Sequence, residues 1–97
     1  MNLIFERRAE IALRSLRGID QKRVQRALQE LRVLEPREVT SHQRVHRLAG
    51  SQSEPLYVYN TAKRLRLVFT IDAEDCRLID IVDRDRLDRL RQDRRQG

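Results

Sequence analysis

The feature that most constrains this chain is a strict apolar alternation between residues 65 and 71. Leu65, Leu67, Phe69 and Ile71 are separated by Arg66, Val68 and Thr70. Alternation with a period of two is the pattern of a β-strand with one buried face, so this run predicts a strand with its odd-numbered side chains inward. Residues 56–59 and 77–82 are predicted to be strands as well. The polar turns at 60–63 and 72–75 are short, which predicts antiparallel neighbours.

The first third of the chain has helical spacing instead. Apolar residues predict one helix from Glu6 to Arg17, which Gly18 ends, and a second that Asp20 caps and Pro36 ends. The linker is so short that the two helices are expected to form an antiparallel hairpin. Residues 2–5 are either a short strand or the lead into the first helix, and residues 43–49 are a weaker strand candidate.

These elements predict a single α+β domain over residues 1–97. Its N-terminal helical hairpin packs on one face of a small, mainly antiparallel sheet, and the Arg-rich segment 83–97 follows as a short C-terminal helix or arm. The side chains expected on the covered sheet face are Leu56, Val58, Leu65, Leu67, Phe69, Ile71, Ile79 and Ile81. The residues expected on the opposite, uncovered face are Tyr57, Tyr59, Arg64 and Arg66.

The charge of the chain favours an anionic partner. The 97 residues include 21 Lys and Arg against 15 Asp and Glu, for a net charge of +6, and 19 of the 21 cations are Arg. Arg binds phosphate or carboxylate through two parallel hydrogen bonds, which suits a polyanion or an acidic protein. The single cysteine cannot form an internal disulfide. Residues 1–10 lack the pattern of a signal peptide, and no apolar run reaches the length of a membrane span. We therefore expect a cytoplasmic location and no membrane partner.

The sequence gives no signature of a cofactor or metal site. Its glycines are isolated, which excludes a glycine-rich phosphate loop and a nucleophile elbow. His42 and His46 lie four positions apart without a third ligand, and we interpret them as surface histidines. On the uncovered face, aromatic rings can stack on bases while Arg neutralises phosphates. The alternative is a solvated sheet face on which Tyr57 and Tyr59 are ordinary β-formers.

Several segments together resemble the RelE/ParE toxin superfamily. They are Arg47-Leu48, Leu56-Tyr57-Val58-Tyr59, Arg64-Leu65-Arg66-Leu67-Val68-Phe69-Thr70-Ile71-Asp72 and Ile79-Asp80-Ile81-Val82, within a match over residues 5–86. The resemblance implies the toxin of a bacterial type II toxin–antitoxin pair, neutralised by a cognate acidic antitoxin, with operator DNA bound only through that complex. RelE-like members cut mRNA on the ribosome without a metal, whereas ParE-like members poison DNA gyrase.

The resemblance also implies site residues. Arg66 falls where RelE-like toxins carry an arginine facing the phosphate, and Arg84 matches a basic residue near that phosphate, with Arg86 as an equally possible register. RelE-like nucleases tend to carry lysines on the strand that matches residues 56–59, and many have a Tyr, or a His-Tyr pair, close after the last strand. This chain has neither, so His46 or Tyr57 is the substitute for proton transfer. The catalytic set is then Arg66, Arg84 and His46. The expected RNA-binding set is Arg44, Arg47, Tyr57, Tyr59, Lys63, Arg64 and Arg86.

Three functional hypotheses follow. The first is a RelE-like, ribosome-dependent mRNA endonuclease. The second is a ParE-like toxin that inhibits gyrase without nuclease activity, and the third is an inactive relative that only binds its antitoxin. In each case we expect tight association with an acidic antitoxin that weakens with salt, because surface charges are screened over about 8 Å at physiological ionic strength.

Overall fold

A five-stranded sheet organises the chain, with the strands in the order β1-β5-β4-β3-β2. The computed structural model describes residues 1–48, 54–61 and 63–87. Its elements, in chain order, are β1 (Asn2–Phe5), α1 (Arg7–Ser15), α2 (Gly18–Val33), α3 (Pro36–Val39), β2 (Val45–Arg47), β3 (Tyr57–Asn60), β4 (Leu65–Asp72) and β5 (Asp75–Asp83). The predicted α+β class with a mainly antiparallel sheet is confirmed.

The strand pairing has one element that the sequence left open. β2, β3, β4 and β5 pair in antiparallel fashion, as the short turns predict. Residues 2–5 are a strand, and β1 pairs parallel to β5 at the edge of the sheet. The first strand in the sequence is therefore an edge strand, and the last strand, β5, lies next to it.

The helix boundaries differ from the predicted ones. α2 begins at Gly18, whose φ of +57° is the left-handed conformation that glycine adopts without strain. Asp20 is therefore not a cap. It lies in the first turn of α2, with its carboxylate 3.8 Å from Arg23. α2 ends at Val33, and Pro36 begins the short helix α3 rather than ending α2.

The main core lies between the helices and one face of the sheet. α1 and α2 contribute Ala9, Val24, Ala27, Leu28 and Leu31 to a buried cluster that also contains sheet residues. The sheet residues predicted for this face and found there are Leu65, Leu67, Phe69, Ile71 and Ile81. The parity predicted for β4 is therefore confirmed.

The parity predicted for β3 is wrong. Tyr57 pairs with Phe69 and Tyr59 with Leu67, so both tyrosines face the helices. Val58 pairs with Val68 and lies on the other side of the sheet. Leu56, also predicted under the helices, joins that second side. Tyr59 can occupy the core because its hydroxyl reaches a carboxylate there.

A β-bulge in β5 explains a further correction. Val68 pairs with Asp80 and Phe69 with Leu78, which leaves Ile79 without a partner in β4. The extra residue shifts the alternation, so that Leu78 and Ile81 both face the helices although their numbers differ in parity. Ile79, predicted under the helices, packs against the opposite cluster instead.

The opposite side of the sheet, which we call the second face, was predicted to be uncovered. This prediction is wrong for part of the face. A smaller apolar cluster covers part of it, and Leu87 from the segment after β5 is 3% exposed there. Residues 84–87 are helical, and the Asp83 carboxylate accepts the Arg86 N–H at 2.9 Å, as an N-cap does. The rest of the predicted Arg-rich helix or arm lies outside the described residues. The cluster comprises Leu48, Leu56, Val58, Val68, Val82 and Leu87.

Candidate functional site

Arg66 lies on the second face, away from α1 and α2, as the sequence predicts. It pairs with Asn60 on one side and Val82 on the other. The guanidinium Nη1 donates to the carbonyl oxygens of Lys63 at 2.6 Å and Leu65 at 3.0 Å. These bonds hold the half-buried side chain at the start of β4, beside the β3–β4 turn, and fix the position of its charge.

His46 lies on the same face as Arg66. It sits in β2 opposite Val58, and paired residues of antiparallel strands share a face. β3 separates the two strands, so their backbones are about 10 Å apart at a spacing of roughly 4.8 Å per strand. His46 is in line with Val58 and Val68, whereas Arg66 is in line with Asn60, so the two half-buried side chains share one face at positions two strands and two residues apart.

Asn60 is a feature of this surface that the sequence reading missed. It pairs with Arg66, and its Oδ1 is buried without a hydrogen-bond partner in the described part of the chain. A buried acceptor without a donor costs about 1–3 kcal/mol, so such a group is unusual in a folded protein. Asn is common in turns, and residues 60–63 are predicted to be a turn, so the sequence did not indicate this role for Asn60.

The segment after β5 brings further cations to the same end of the sheet. The Asp80 side chain is almost fully buried, and its Oδ1 accepts the Ile81 N–H at 2.8 Å. Its Oδ2 lies 4.0 Å from Nη2 of Arg86. Arg84 is exposed, and its backbone N–H donates to the Arg64 carbonyl at 2.8 Å. This bond ties the end of β5 to the β3–β4 turn.

The predicted cations that gather at this end of the sheet form what we call the basic end. Lys63 and Arg64 are exposed in the β3–β4 turn, and the Arg64 guanidinium is 3.7 Å from the Asp85 carboxylate. Leu65 pairs with Asp83, so the turn and the start of the post-β5 helix lie side by side. The members of the basic end are Lys63, Arg64, Arg66, Arg84 and Arg86.

Other predicted RNA-binding residues do not join this surface. Tyr59 is 2% exposed, so its ring cannot stack on a base. The Tyr57 ring centroid lies 5.8 Å from that of Phe69 on the helix side of the sheet, so Tyr57 points away from Arg66. Arg47 pairs with Tyr57 and shares its side of the sheet. Arg44 lies close enough to Glu30 to lower the pKa of that carboxyl, again on the helix side.

A second polar cluster, which we call the Glu30 clamp, joins α2 to the far edge of the sheet. The Tyr59 hydroxyl donates to Glu30 Oε2 at 2.6 Å, and His42 Nε2 lies 2.6 Å from Glu30 Oε1. The Arg44 backbone N–H donates to His42 Nδ1 at 3.1 Å, so Nδ1 is the acceptor and Nε2 carries the proton. One carboxylate thus holds both β3 and the segment leading into β2.

The electrostatics of the Glu30 clamp follow from these bonds. The hydrogen bond from Tyr59 is the main cause that lowers the pKa of Glu30, with His42 adding to it. Burial, followed by the Glu30 carboxylate, raises the pKa of Tyr59 well above its ordinary value. No local motif could reveal this cluster, because Glu30 is 12 residues from His42 and 29 from Tyr59. His42, predicted to be a surface histidine, is half-buried and bound in this cluster.

Replacing Glu30 with Gln is expected to change the pH dependence of stability. A carboxyl with a lowered pKa in the folded state stabilises the fold above its unfolded pKa, near 4.5, and this contribution is lost as the pH falls through the folded pKa. Urea denaturation of E30Q between pH 2 and 7 should therefore show a shallower acid limb than the wild type. The exposed Glu10→Gln is the matched control, and identical acid limbs for E30Q and the wild type would contradict the clamp.

A metal site, a reactive thiol and a membrane span each need a particular arrangement of residues. They contain no group of three His, Cys, Asp or Glu side chains placed to hold a metal ion. Cys76 is fully buried, and burial raises the pKa of its thiol to about 12, which keeps it protonated. Among the described residues, no helix has both the length and the apolarity needed to cross a membrane.

Comparison with known proteins gives one similarity, at the level of the fold. No protein-family model matches the sequence, and no curated protein matches it. A chain in the crystal structure of the archaeal RelE–RelB complex from Pyrococcus horikoshii OT3 is similar to this chain, with a TM-score of 0.64 and 18% sequence identity. The match covers 88% of this chain and 96% of that one. This protein therefore has a fold that also occurs in a RelE–RelB complex.

Proposed function

We propose that this protein is the toxin of a toxin–antitoxin pair and that it cleaves mRNA on the ribosome, in the cytoplasm, with the second face of its sheet. The observation that carries the proposal is the basic end, where five cations border a surface that also holds His46. The fold shared with a chain of a RelE–RelB complex supports the toxin assignment, as does the net charge of +6. A positive net charge suits both a polyanionic substrate and an acidic partner protein.

The proposed chemistry needs charge stabilisation and proton transfer. The RNA 2′-oxygen attacks the adjacent phosphorus, the bond from phosphorus to the 5′-oxygen breaks, and a 2′,3′-cyclic phosphate and a 5′-hydroxyl result. Arg66, held by two backbone carbonyls, stabilises the negative charge that develops on the phosphoryl oxygens, and Arg84 supplies a second cation. Arg stays protonated and is a poor proton acceptor. His46 therefore takes the 2′-hydroxyl proton, which can then protonate the leaving 5′-oxygen.

The test combines expression with direct mapping of RNA ends. Expression of the wild type should arrest growth, and primer extension should find new mRNA ends that purified protein reproduces on programmed ribosomes. His46→Gln should lower the cleavage rate by about 10²–10⁴-fold, the usual contribution of general acid–base catalysis. Gln43→Ala, an exposed change three residues earlier, is the control. Intact mRNA with wild-type protein would contradict the proposal.

The apolar cluster of the second face favours one other candidate. Leu56, Val58 and Leu87 are buried in a cluster that covers part of the face on which a nuclease would bind phosphates, and residues 83–87 contain neither Tyr nor His. A partly covered face that lacks these proton-transfer residues after β5 favours a toxin that binds a protein target without cleaving RNA, as in a ParE-like toxin that acts on gyrase. Inhibited supercoiling with intact RNA would favour this candidate. Unimpaired growth would favour an inactive relative that only binds its antitoxin.

A further inference from the structure

The outer side of α2 exposes apolar residues at both ends of a basic stripe. Ile19 is 62% exposed and Val33 is 79% exposed, while Lys22 and Arg26 lie between them. At about 100° per residue, these four side chains fall within about 60° of one another around the helix. We call them the α2 outer stripe. They lie opposite the buried stripe of Val24, Ala27, Leu28 and Leu31.

The cations of this stripe have no acidic partner within the described part of the chain. Every acidic residue of α1 and α2 is already bound: Glu10 to Arg14 at 3.0 Å, Asp20 to Arg23 at 3.8 Å, and Glu30 within its clamp. The cations of the two helices without an ion pair are Arg7, Arg8, Lys22, Arg26 and Arg32. Within the described residues, the helical layer therefore has a surplus of positive charge, which an external anion could neutralise.

A groove extends the surface at the Val33 end of the stripe. Its volume is about 730 Å³, and its lining mixes apolar, basic and acidic residues. Val33, Leu34 and Pro36 supply apolar surface. Arg32 supplies a cation without an ion pair, whereas Arg37 lies 2.9 Å from the Glu35 carboxylate and Glu74 adds a second acidic side chain. Isolated exposed apolar residues are common, but here they stand beside a concavity and unpaired cations. This combination fits an amphipathic partner better than bulk solvent.

We propose that the α2 outer stripe and this groove bind an acidic amphipathic helix of the partner protein. Ile19 and Val33 are 14 residues apart, about 21 Å along the helix, so the partner would place apolar side chains at two such points and carboxylates between them. Exposed Ile and Val offer nothing to phosphates, which favours a protein segment over RNA. The inference rests on the proposed function in one respect: if this protein is a toxin, the partner is its antitoxin.

The test uses a synthetic acidic amphipathic peptide of about 20 residues, with leucines at the two ends of one face and glutamates between them. Fluorescence anisotropy measures its Kd, and a scrambled peptide and a single-stranded RNA of similar length are the comparison probes. The double variant K22E/R26E should weaken peptide binding by at least about tenfold. The matched variant K63E/R84E makes the same change of net charge at the basic end and should weaken it by less than about twofold. The double variant I19S/V33S should weaken peptide binding by about tenfold and leave RNA binding unchanged.

Each remaining outcome overturns the inference. Equal loss in both charge-reversal variants means that only net charge matters, and wild-type affinity in I19S/V33S removes the apolar contribution. Equal binding of the scrambled peptide, or loss of RNA binding chiefly in K22E/R26E, assigns the surface to something other than an amphipathic helix. Growth arrest and mRNA cleavage are measured on the same variants. Their absence in the wild type contradicts the proposed function, whereas the peptide results test the α2 outer stripe on their own.

Discussion

Replacing Arg66 with Ala is expected to lower the rate of mRNA cleavage by about 10²–10³-fold, the loss typical of removing one donor to a developing oxyanion. The guanidinium lies on the second face, and its bonds to two carbonyls place it before the substrate binds. Arg66→Lys keeps the charge but loses the planar fork, so its rate should lie between those of the wild type and Arg66→Ala. Cleavage is measured by single-turnover primer extension on programmed ribosomes.

The control for this prediction is Arg14→Ala, which also removes one exposed Arg. Arg14 lies on α1, 3.0 Å from Glu10, and has no place in the proposed site, so this variant should cleave at the wild-type rate. Because Arg66 also bonds the β3–β4 turn, thermal unfolding of each variant separates lost catalysis from lost structure. A folded Arg66→Ala protein that cleaves at the wild-type rate would remove Arg66 from the mechanism.

Replacing Phe69 with Ala is expected to lower the free energy of unfolding by about 3–5 kcal/mol. Phe69 is fully buried between the sheet and the helices, pairs with Leu78 and contacts the Tyr57 ring. The loss is a large part of the roughly 5–15 kcal/mol that stabilises a domain of this size. Urea denaturation followed by circular dichroism measures it.

The only other phenylalanine provides the matched control. Phe5 is half-buried in the edge strand β1, so Phe5→Ala makes the same chemical change where less apolar surface is lost from the core. Its effect should be less than half that of Phe69→Ala. Equal losses at the two positions would mean that the helix-facing side of β4 is not the centre of the core.

The sequence predicts this fold well only where the residue types of a strand show which of its two sides is buried. In β4, charged Arg66 and polar Thr70 alternate with apolar residues, so only one orientation buries the right side chains. In β3, Tyr and apolar residues alternate, and either set can be buried. What decides is Glu30, 29 residues away, which gives the buried Tyr59 hydroxyl a partner. Local alternation carries no information about that distant carboxylate.

The candidate site is predictable in part for the same reason. Arg66 was placed correctly because its strand has an unambiguous phase, and the basic end follows from the short β3–β4 turn and the end of β5. The bulge at Ile79 has no Gly or Pro to signal it, so the prediction for that residue was wrong. Asn60 and the Glu30 clamp arise only where separate strands and a helix meet, which a single sequence does not show.

The parallel pairing of β1 with β5 has a consequence during synthesis. Asn2 pairs with Asp75 and Phe5 with Leu78, so β1 cannot pair until β5, the last of the five strands in chain order, has been translated. Closing a loop of about 70 residues is slow compared with forming local helices. A nascent chain therefore cannot complete this edge cotranslationally until Leu78 has emerged.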